Sequence, residues 1–217
     1  MEQPRNASKS LAPVVLCAIV YAVAGSVALT LEPTAKGWAV LLVSIAGAVG
    51  VCLLATATNR RDWLKALGVI VPISLFQVFP DWFLATELGS IVFPDTGGIR
   101  IDDAIPLAMA AMWVVPLLVI VLVARDTLLR GAIVSAMLFL VTELLAPVAG
   151  LWEPAGGARE LAGAALYVIP PEALLGAAAV YAVRVAGDRT WPTRIVAAAA
   201  VSIFYTGALA ISWMLVG

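Results

Sequence analysis

The chain has 217 residues, of which 63% are hydrophobic and 12% charged, with a formal net charge of −1 and a mean hydropathy of +1.03. Those values lie outside the range of a soluble globular domain and exclude a basic nucleic-acid binder. With no histidine in the chain, His-box metal sites, His-based triads and His proton relays are excluded as well.

Apolar runs long enough to cross a hydrocarbon core, which takes about 20 helical residues, predict an all-α polytopic membrane protein, a bundle of about seven transmembrane helices in one domain. The spans fall at about 11–31, 37–58, 64–85, 103–124, 131–151, 161–183 and 194–216. The first run is too long for the h-region of a signal peptide and reads as a retained helix. Cys17 and Cys52 both lie inside spans, which argues for packing over a disulfide.

Lys and Arg alternate between the two sides of these spans. Arg5, Lys9, Arg60, Arg61, Lys65, Arg125, Arg130, Arg184, Arg189 and Arg194 share one side, and Lys36, Arg100 and Arg159 the other. The positive-inside rule then puts the N-terminus in the cytoplasm, with a bacterial cytoplasmic membrane as the expected location. An even number of spans would spoil the alternation. Trp38, Trp63, Trp82, Trp152, Trp191 and Trp213 fall near span ends, as interfacial anchors do, whereas Trp113 sits mid-span, where its indole N–H needs a partner or serves as packed bulk.

Between the third and fourth spans, DWFLATELGSIVFPDTGGIRIDDAIP is long and turn-rich, and it is expected to fold over the outer face as a lid. Asp102 and Asp103 read as N-caps of the fourth span, and Arg100 and Arg159 as snorkelling side chains. A weak internal repeat is visible. Thr86-Glu87-Leu88, Phe93, Pro94, Gly97-Gly98, Arg100 and Ile105-Pro106 are echoed by Thr142-Glu143-Leu144, Trp152, Pro154, Gly156-Gly157, Arg159 and Ile169-Pro170. Spans three–four and five–six would then be two hairpins of the same orientation with a site between them.

The chemistry-bearing residues are acids at membrane depth. A charge at the bilayer centre costs at least about 2.5–3.5 kcal/mol, so Glu143, Glu172 and Asp81 are candidate site residues rather than ordinary surface acids. Locking helices together is the alternative role for each. Pro170 and Pro171 free the carbonyls of Leu166 and Tyr167 beside Glu172, and Pro80 frees that of Phe76 beside Asp81, with Gln77 one turn earlier. Apolar surroundings favour the protonated form of a carboxyl, which can then protonate an olefin or epoxide. Aromatic faces can hold the resulting carbocation, and Phe76, Phe79, Trp82, Phe93, Trp113, Trp152 and Tyr167 are the candidate lining, with Gln77 a further binding residue. No paired-aspartate motif lies within a helix, so Mg²⁺-assisted loss of diphosphate is disfavoured; neither metal nor cofactor is expected.

The stretches G-S-I-V-F-P-D, I-P-L-x(5)-W, T-E-L-L-A-P-V-A-G-L-W-E-P and Y-V-I-P-P-E-A-L-L-G, within about residues 80–175, resemble the small integral-membrane carotenoid hydratases and the related lycopene cyclases. Glu143, Pro147, Trp152, Pro171 and Glu172 are the matching positions. The resemblance implies an enzyme of isoprenoid biosynthesis, with Glu143 and Glu172 as general acid and as base or cation stabiliser, Asp81 as helper, and a lipid-soluble isoprenoid as substrate. Small membrane terpene cyclases offer an analogy of size and span number. Membrane lipids are the other expected partners, with no nucleic acid. A proton- or cation-coupled carrier and a non-catalytic assembly partner are the alternatives from other functional classes.

Overall fold

The computed structural model describes residues 11–217, so Arg5 and Lys9 of the Lys and Arg count lie outside the described residues. The protein is an all-α helical bundle. Among the described residues six helices are long and apolar enough to cross a membrane: α1 (Ala12–Leu29), α2 (Pro33–Ala57), α3 (Arg61–Glu87), α5 (Leu128–Ala149), α6 (Leu166–Ala186) and α7 (Trp191–Val216). A shorter apolar helix, α4 (Met109–Ala124), lies between α3 and α5 in the chain. This is an integral membrane protein. Proline in the first turn of α1, α2 and α7, where its missing N–H costs nothing, marks their starts. Gly150, at φ +65°, ends α5 in the left-handed conformation.

The shortest helix is the central one. Val114, Val115, Leu117, Leu118, Ile120, Val121 and Ala124 of α4 are buried, and α4 packs against α1, α2, α3, α5 and α6. A helix that is apolar all round belongs in the interior, whereas α1, α2 and α7 expose long rows of Val, Leu and Ile that suit lipid. Trp38 and Trp191 are exposed as belt residues would be. Trp63, in the first turn of α3, is at a span end but buried, with the Arg60 guanidinium 5.3 Å from its ring centroid. Cys17 and Cys52 are free.

Six two-residue strands lie at one end of the bundle, and they expose a duplication. Strand β1 (Ile91–Val92) follows α3, and the hairpin β2 (Arg100–Ile101) with β3 (Ile105–Pro106) precedes α4. Likewise β4 (Glu153–Pro154) follows α5, and β5 (Glu160–Leu161) with β6 (Ala164–Ala165) precedes α6. β1 and β4 pair antiparallel, Ile91 with Pro154 and Val92 with Glu153. Such a reciprocal register is what a two-fold axis between them requires. The glycine pairs of the sequence repeat correspond, with Gly97 and Gly98 at φ +74° and +87° and Gly156 and Gly157 at +63° and +80°.

Elsewhere the duplication differs from the sequence reading. Asp81 and Glu143 each stand ten residues before their strand, so the two acids are equivalent and Glu87 is not the partner of Glu143. Ile105-Pro106 forms β3 while Ile169-Pro170 begins a helix, so these are not equivalent either. Asp102 and Asp103 are not N-caps. Both adopt positive φ, +53° and +51°, in a turn closed by the Ala104 N–H donating to the Ile101 carbonyl at 3.0 Å, the backbone that primed hairpin turns demand and that Asp tolerates.

Three proline-freed carbonyls are satisfied from neighbouring helices. Ser202 Oγ of α7 donates to the Phe76 carbonyl at 2.9 Å, the acceptor that Pro80 leaves without an N–H. Ser212 Oγ donates to the Tyr167 carbonyl at 2.6 Å, the acceptor freed by Pro171. Tyr21 of α1 donates to the Met112 carbonyl at 3.3 Å, four residues before Pro116. One helix, α7, thereby fastens a break in each repeat. Replacing Ser202 with Ala should lower stability in detergent by about 0.6–2 kcal/mol, and by much less in a Pro80→Ala background, where a backbone N–H is restored. A thermal-unfolding double-mutant cycle measures that coupling; equal costs in both backgrounds would refute it.

Candidate active site

Three carboxyls meet at one depth beneath the strands. Asp81 and Glu143 each lie six residues before the end of α3 and α5, and Glu172 lies six residues after the start of α6. At 1.5 Å per residue that is about 9 Å below the helix ends for all three. Glu172 thus stands near the start of α6 rather than in the middle of a span over about 161–183, because residues 160–165 form a hairpin instead of the first turns of the helix. Asp81, Glu143 and Glu172 are 6%, 6% and 3% exposed, and each lies within electrostatic reach of the others.

Local backbone irregularity positions them. α3 breaks at Gln77, resumes over Val78–Trp82 with Asp81 in that turn, and ends as a π-helix over Phe83–Glu87. Irregular windings of this kind recur at functional sites. α5, by contrast, stays α-helical to a regular glycine cap, with the Leu151 N–H donating to the Ala146 carbonyl at 3.0 Å and the Gly150 N–H to the Pro147 carbonyl at 3.1 Å. On α6, the Glu172 carbonyl accepts from Ser135 Oγ of α5 at 2.6 Å, and Gly176 faces Gly131 and Ser135 with no room for a Cβ.

The carboxyl groups themselves differ in their partners. Glu143 Oε1 accepts from the Trp152 indole N–H at 3.0 Å, which fixes its orientation. Asp81 Oδ2 and Glu172 Oε2 have no hydrogen-bond partner, nor do the two amide atoms of Gln77 or the indole N–H of Trp113. Trp113 is placed as a hydrogen-bond donor to Asp81, through an indole N–H that falls short of full hydrogen-bond geometry. Buried polar groups are normally paired, so a knot of unpaired ones within a single region points to a site.

Trp113, Trp152, Phe93, Tyr167 and Gln77 of the predicted lining are all buried in this region. Trp113 packs on Phe139 at 5.0 Å between ring centroids, Phe93 on Trp152 at 6.4 Å, and Tyr167 on Trp213 at 4.9 Å. The Tyr167 hydroxyl lies 2.8 Å from Ser90 Oγ. Three residues do not join them. Phe76 and Phe79 are 37% and 50% exposed on the outer surface of the bundle, one helical turn or less away from the inward face that carries Gln77 and Asp81. Trp82 turns to the loop, where its indole N–H donates to Asp102 Oδ2 at 3.0 Å.

Some site residues were missed by sequence reasoning. Phe139 lies one turn before Glu143 and is buried against Trp113. Tyr205 of α7 is buried within electrostatic reach of all three acids. The spacing of Ser202, Tyr205, Thr206 and Leu209, all on one buried face, was the available signal. Among the described residues no group of three His, Cys, Asp or Glu side chains is placed to hold a metal ion.

Above the acids, the loop between β1 and β2 is clamped in place. Arg100 does not snorkel; its guanidinium donates to the carbonyls of Phe93, Pro94, Asp103 and Ala104 at 2.8–3.2 Å. The Gly37 N–H of α2 donates to the Thr96 carbonyl at 2.7 Å, and a Cβ on Gly37 would collide with Gly97. Lys36 Nζ donates to the Ala149 carbonyl at the end of α5 at 2.9 Å. Replacing Arg100 with Ala removes four charge-assisted donors and should raise the rate of proteolysis within residues 88–108 at least tenfold, equivalent to about 1.4 kcal/mol of local stability. Cleavage at the unmodified rate would show that the loop is held by other contacts.

No curated protein and no solved structure matches the chain. The family model described as a domain of unknown function, DUF6989, matches residues 78–216, which include both strand-bearing repeats from α3's broken end onward, all three acids and α7. Because that match spans well over half of the sequence, the chain belongs to the DUF6989 family.

Proposed function

We propose that this protein is a membrane-embedded acid catalyst of isoprenoid chemistry, a cyclase or hydratase that protonates an olefin or epoxide of a lipid-soluble substrate. The observation that carries the reading is the convergence of Asp81, Glu143 and Glu172 at one depth in an apolar bundle, two of them with an oxygen left unpaired. Glu172 is the proton donor, its Oε2 free to meet substrate. Glu143, oriented by Trp152, is the base or the counter-charge to the cation, and Asp81 supports both.

The step is a transfer of the Glu172 proton to an olefinic carbon, whose π bond breaks, or to an epoxide oxygen, whose C–O bond to the more substituted carbon breaks to leave a hydroxyl; either leaves a carboxylate and a tertiary carbocation. An internal double bond then attacks the cation, or water adds to it, and the proton released goes back to the Glu172 carboxylate, directly or by way of Glu143, so that the acid is regenerated. Trp113, Phe139, Phe93 and Trp152 supply aromatic faces, whose negative quadrupoles favour a cation more when water is excluded. Enzymes of this kind draw substrate from the bilayer. The ten-to-three division of Lys and Arg supports a cytoplasmic N-terminus, with the site toward the outer leaflet of a bacterial cytoplasmic membrane.

The duplicated α3–α4 and α5–α6 hairpins favour a second reading, since repeats of one orientation with acids at their interface also occur in proton-coupled carriers. Expression in hosts that make different isoprenoid classes, followed by mass analysis of extracted lipids, separates the two. A product of unchanged mass, or one heavier by one water, is expected from the unmodified protein. Glu143→Gln and Glu172→Gln should each reduce it about 10²–10⁴-fold, while Phe79→Leu leaves it unchanged. Unaltered lipids across all classes, together with proton-driven uptake of any solute into vesicles that Glu172→Gln abolishes, would replace the enzyme with the carrier.

A further inference from the structure

We infer that the two-fold relation between the repeats divides the site into a polar half, Gln77 with Glu172, and an aromatic half, Phe139 with Trp113, and that this division fixes which way round an amphipathic isoprenoid lies. The inference rests on the proposed substrate class and adds to it an oxygen-bearing end.

Strand register defines the equivalences. Gln77 and Phe139 each stand fourteen residues before their strand, β1 and β4. Leu107 and Leu166 each close their hairpin through an N–H donated to the Ile99 and Arg159 carbonyls, at 2.8 and 2.9 Å, and Trp113 and Glu172 each follow six residues later. The contact between Trp113 and Phe139 therefore joins the second helix of one repeat to the first helix of the other. The two-fold operation carries it onto Glu172 and Gln77.

Side-chain chemistry at the two related places is opposite. One holds two aromatic rings in contact. The other holds an amide and a carboxyl that are 0% and 3% exposed, with both amide atoms and Oε2 unpartnered. Asp81 and Glu143, the remaining related pair, are acids in both repeats and do not break the symmetry. Gln77 can donate and accept at once, which suits a hydroxyl, carbonyl or epoxide oxygen, whereas Trp113 and Phe139 suit hydrocarbon. A substrate oriented this way presents its oxygen end to Glu172 and keeps its apolar chain over the aromatic pair.

Two photoreactive probes test the division on the full-length protein in lipid nanodiscs. Both are C20 isoprenoid alcohols, one with a diazirine beside the hydroxyl and one with it at the hydrocarbon end, and cross-links are mapped by peptide mass spectrometry. The hydroxyl-end probe is expected to label residues 76–82 or those around Glu172 at least fivefold more than residues 109–114 and 138–140, and the other probe to show the reverse. Gln77→Leu should abolish the bias, and the double exchange Gln77→Phe with Phe139→Gln should invert it. Identical labelling by the two probes, or no labelling at these segments that unlabelled alcohol competes away, overturns the inference. Oriented labelling without any altered lipid in the expression experiment overturns the proposed activity alone; altered lipid without oriented labelling overturns the division alone.

Discussion

Four residues of antiparallel pairing, Ile91 with Pro154 and Val92 with Glu153, hold the two helical repeats in register at the strand-bearing end of the bundle. Everything beneath inherits that register. With the strands fixed, the ten residues back from each, a short connection and then six residues of helix, place Asp81 and Glu143 at matching depth, and the hairpins that follow set α4 and α6 so that Trp113 and Glu172 come to equivalent positions. Shifting either strand by one residue would rotate its helix partner by about 100° and carry the acid toward lipid.

Backbone breaks at this depth are tolerable only when their polar groups are met inside the protein. α7 meets two of them, with Ser202 on Phe76 and Ser212 on Tyr167, and α1 meets a third through Tyr21 on Met112. Helices outside the duplication therefore stabilise the irregularities within it. These three carbonyls are paired while side-chain polar atoms of Gln77, Asp81, Glu172 and Trp113 are left without a partner, a contrast that separates scaffold from site. The same α7 brings Tyr205 to the three acids.

Much of this plan was legible from the residues. Hydropathy marks each helix, and the prolines mark where carbonyls would be released, because a missing N–H is a property of the residue and not of its surroundings. The cost of a carboxyl in hydrocarbon is also local, which is why Asp81, Glu143 and Glu172 stood out. Less legible was facing. Phe76, Gln77, Phe79 and Asp81 fall within two turns, yet two face out and two face in, and only the break at Gln77 and the packing of α7 decide which. Trp82 and Arg100 answer to loop groups that come from residues up to twenty positions away, so neither role follows from local composition.

The sequence by itself determined a polytopic helical membrane protein, the approximate spans, the acids and the proline breaks, since each depends on the transfer free energy or covalent geometry of single residues and short windows. It hinted at the duplication but misaligned it, pairing Glu87 with Glu143 because identical Thr-Glu-Leu triplets outweighed position. Tertiary structure alone decided that Asp81 is the true counterpart, since equivalence is set by the strand register of distant segments. It also decided that the acids share one depth, that Phe139 and Tyr205 stand with them, and that Trp152 orients Glu143. Those facts depend on helix rotation and on contacts between repeats, which no local pattern encodes.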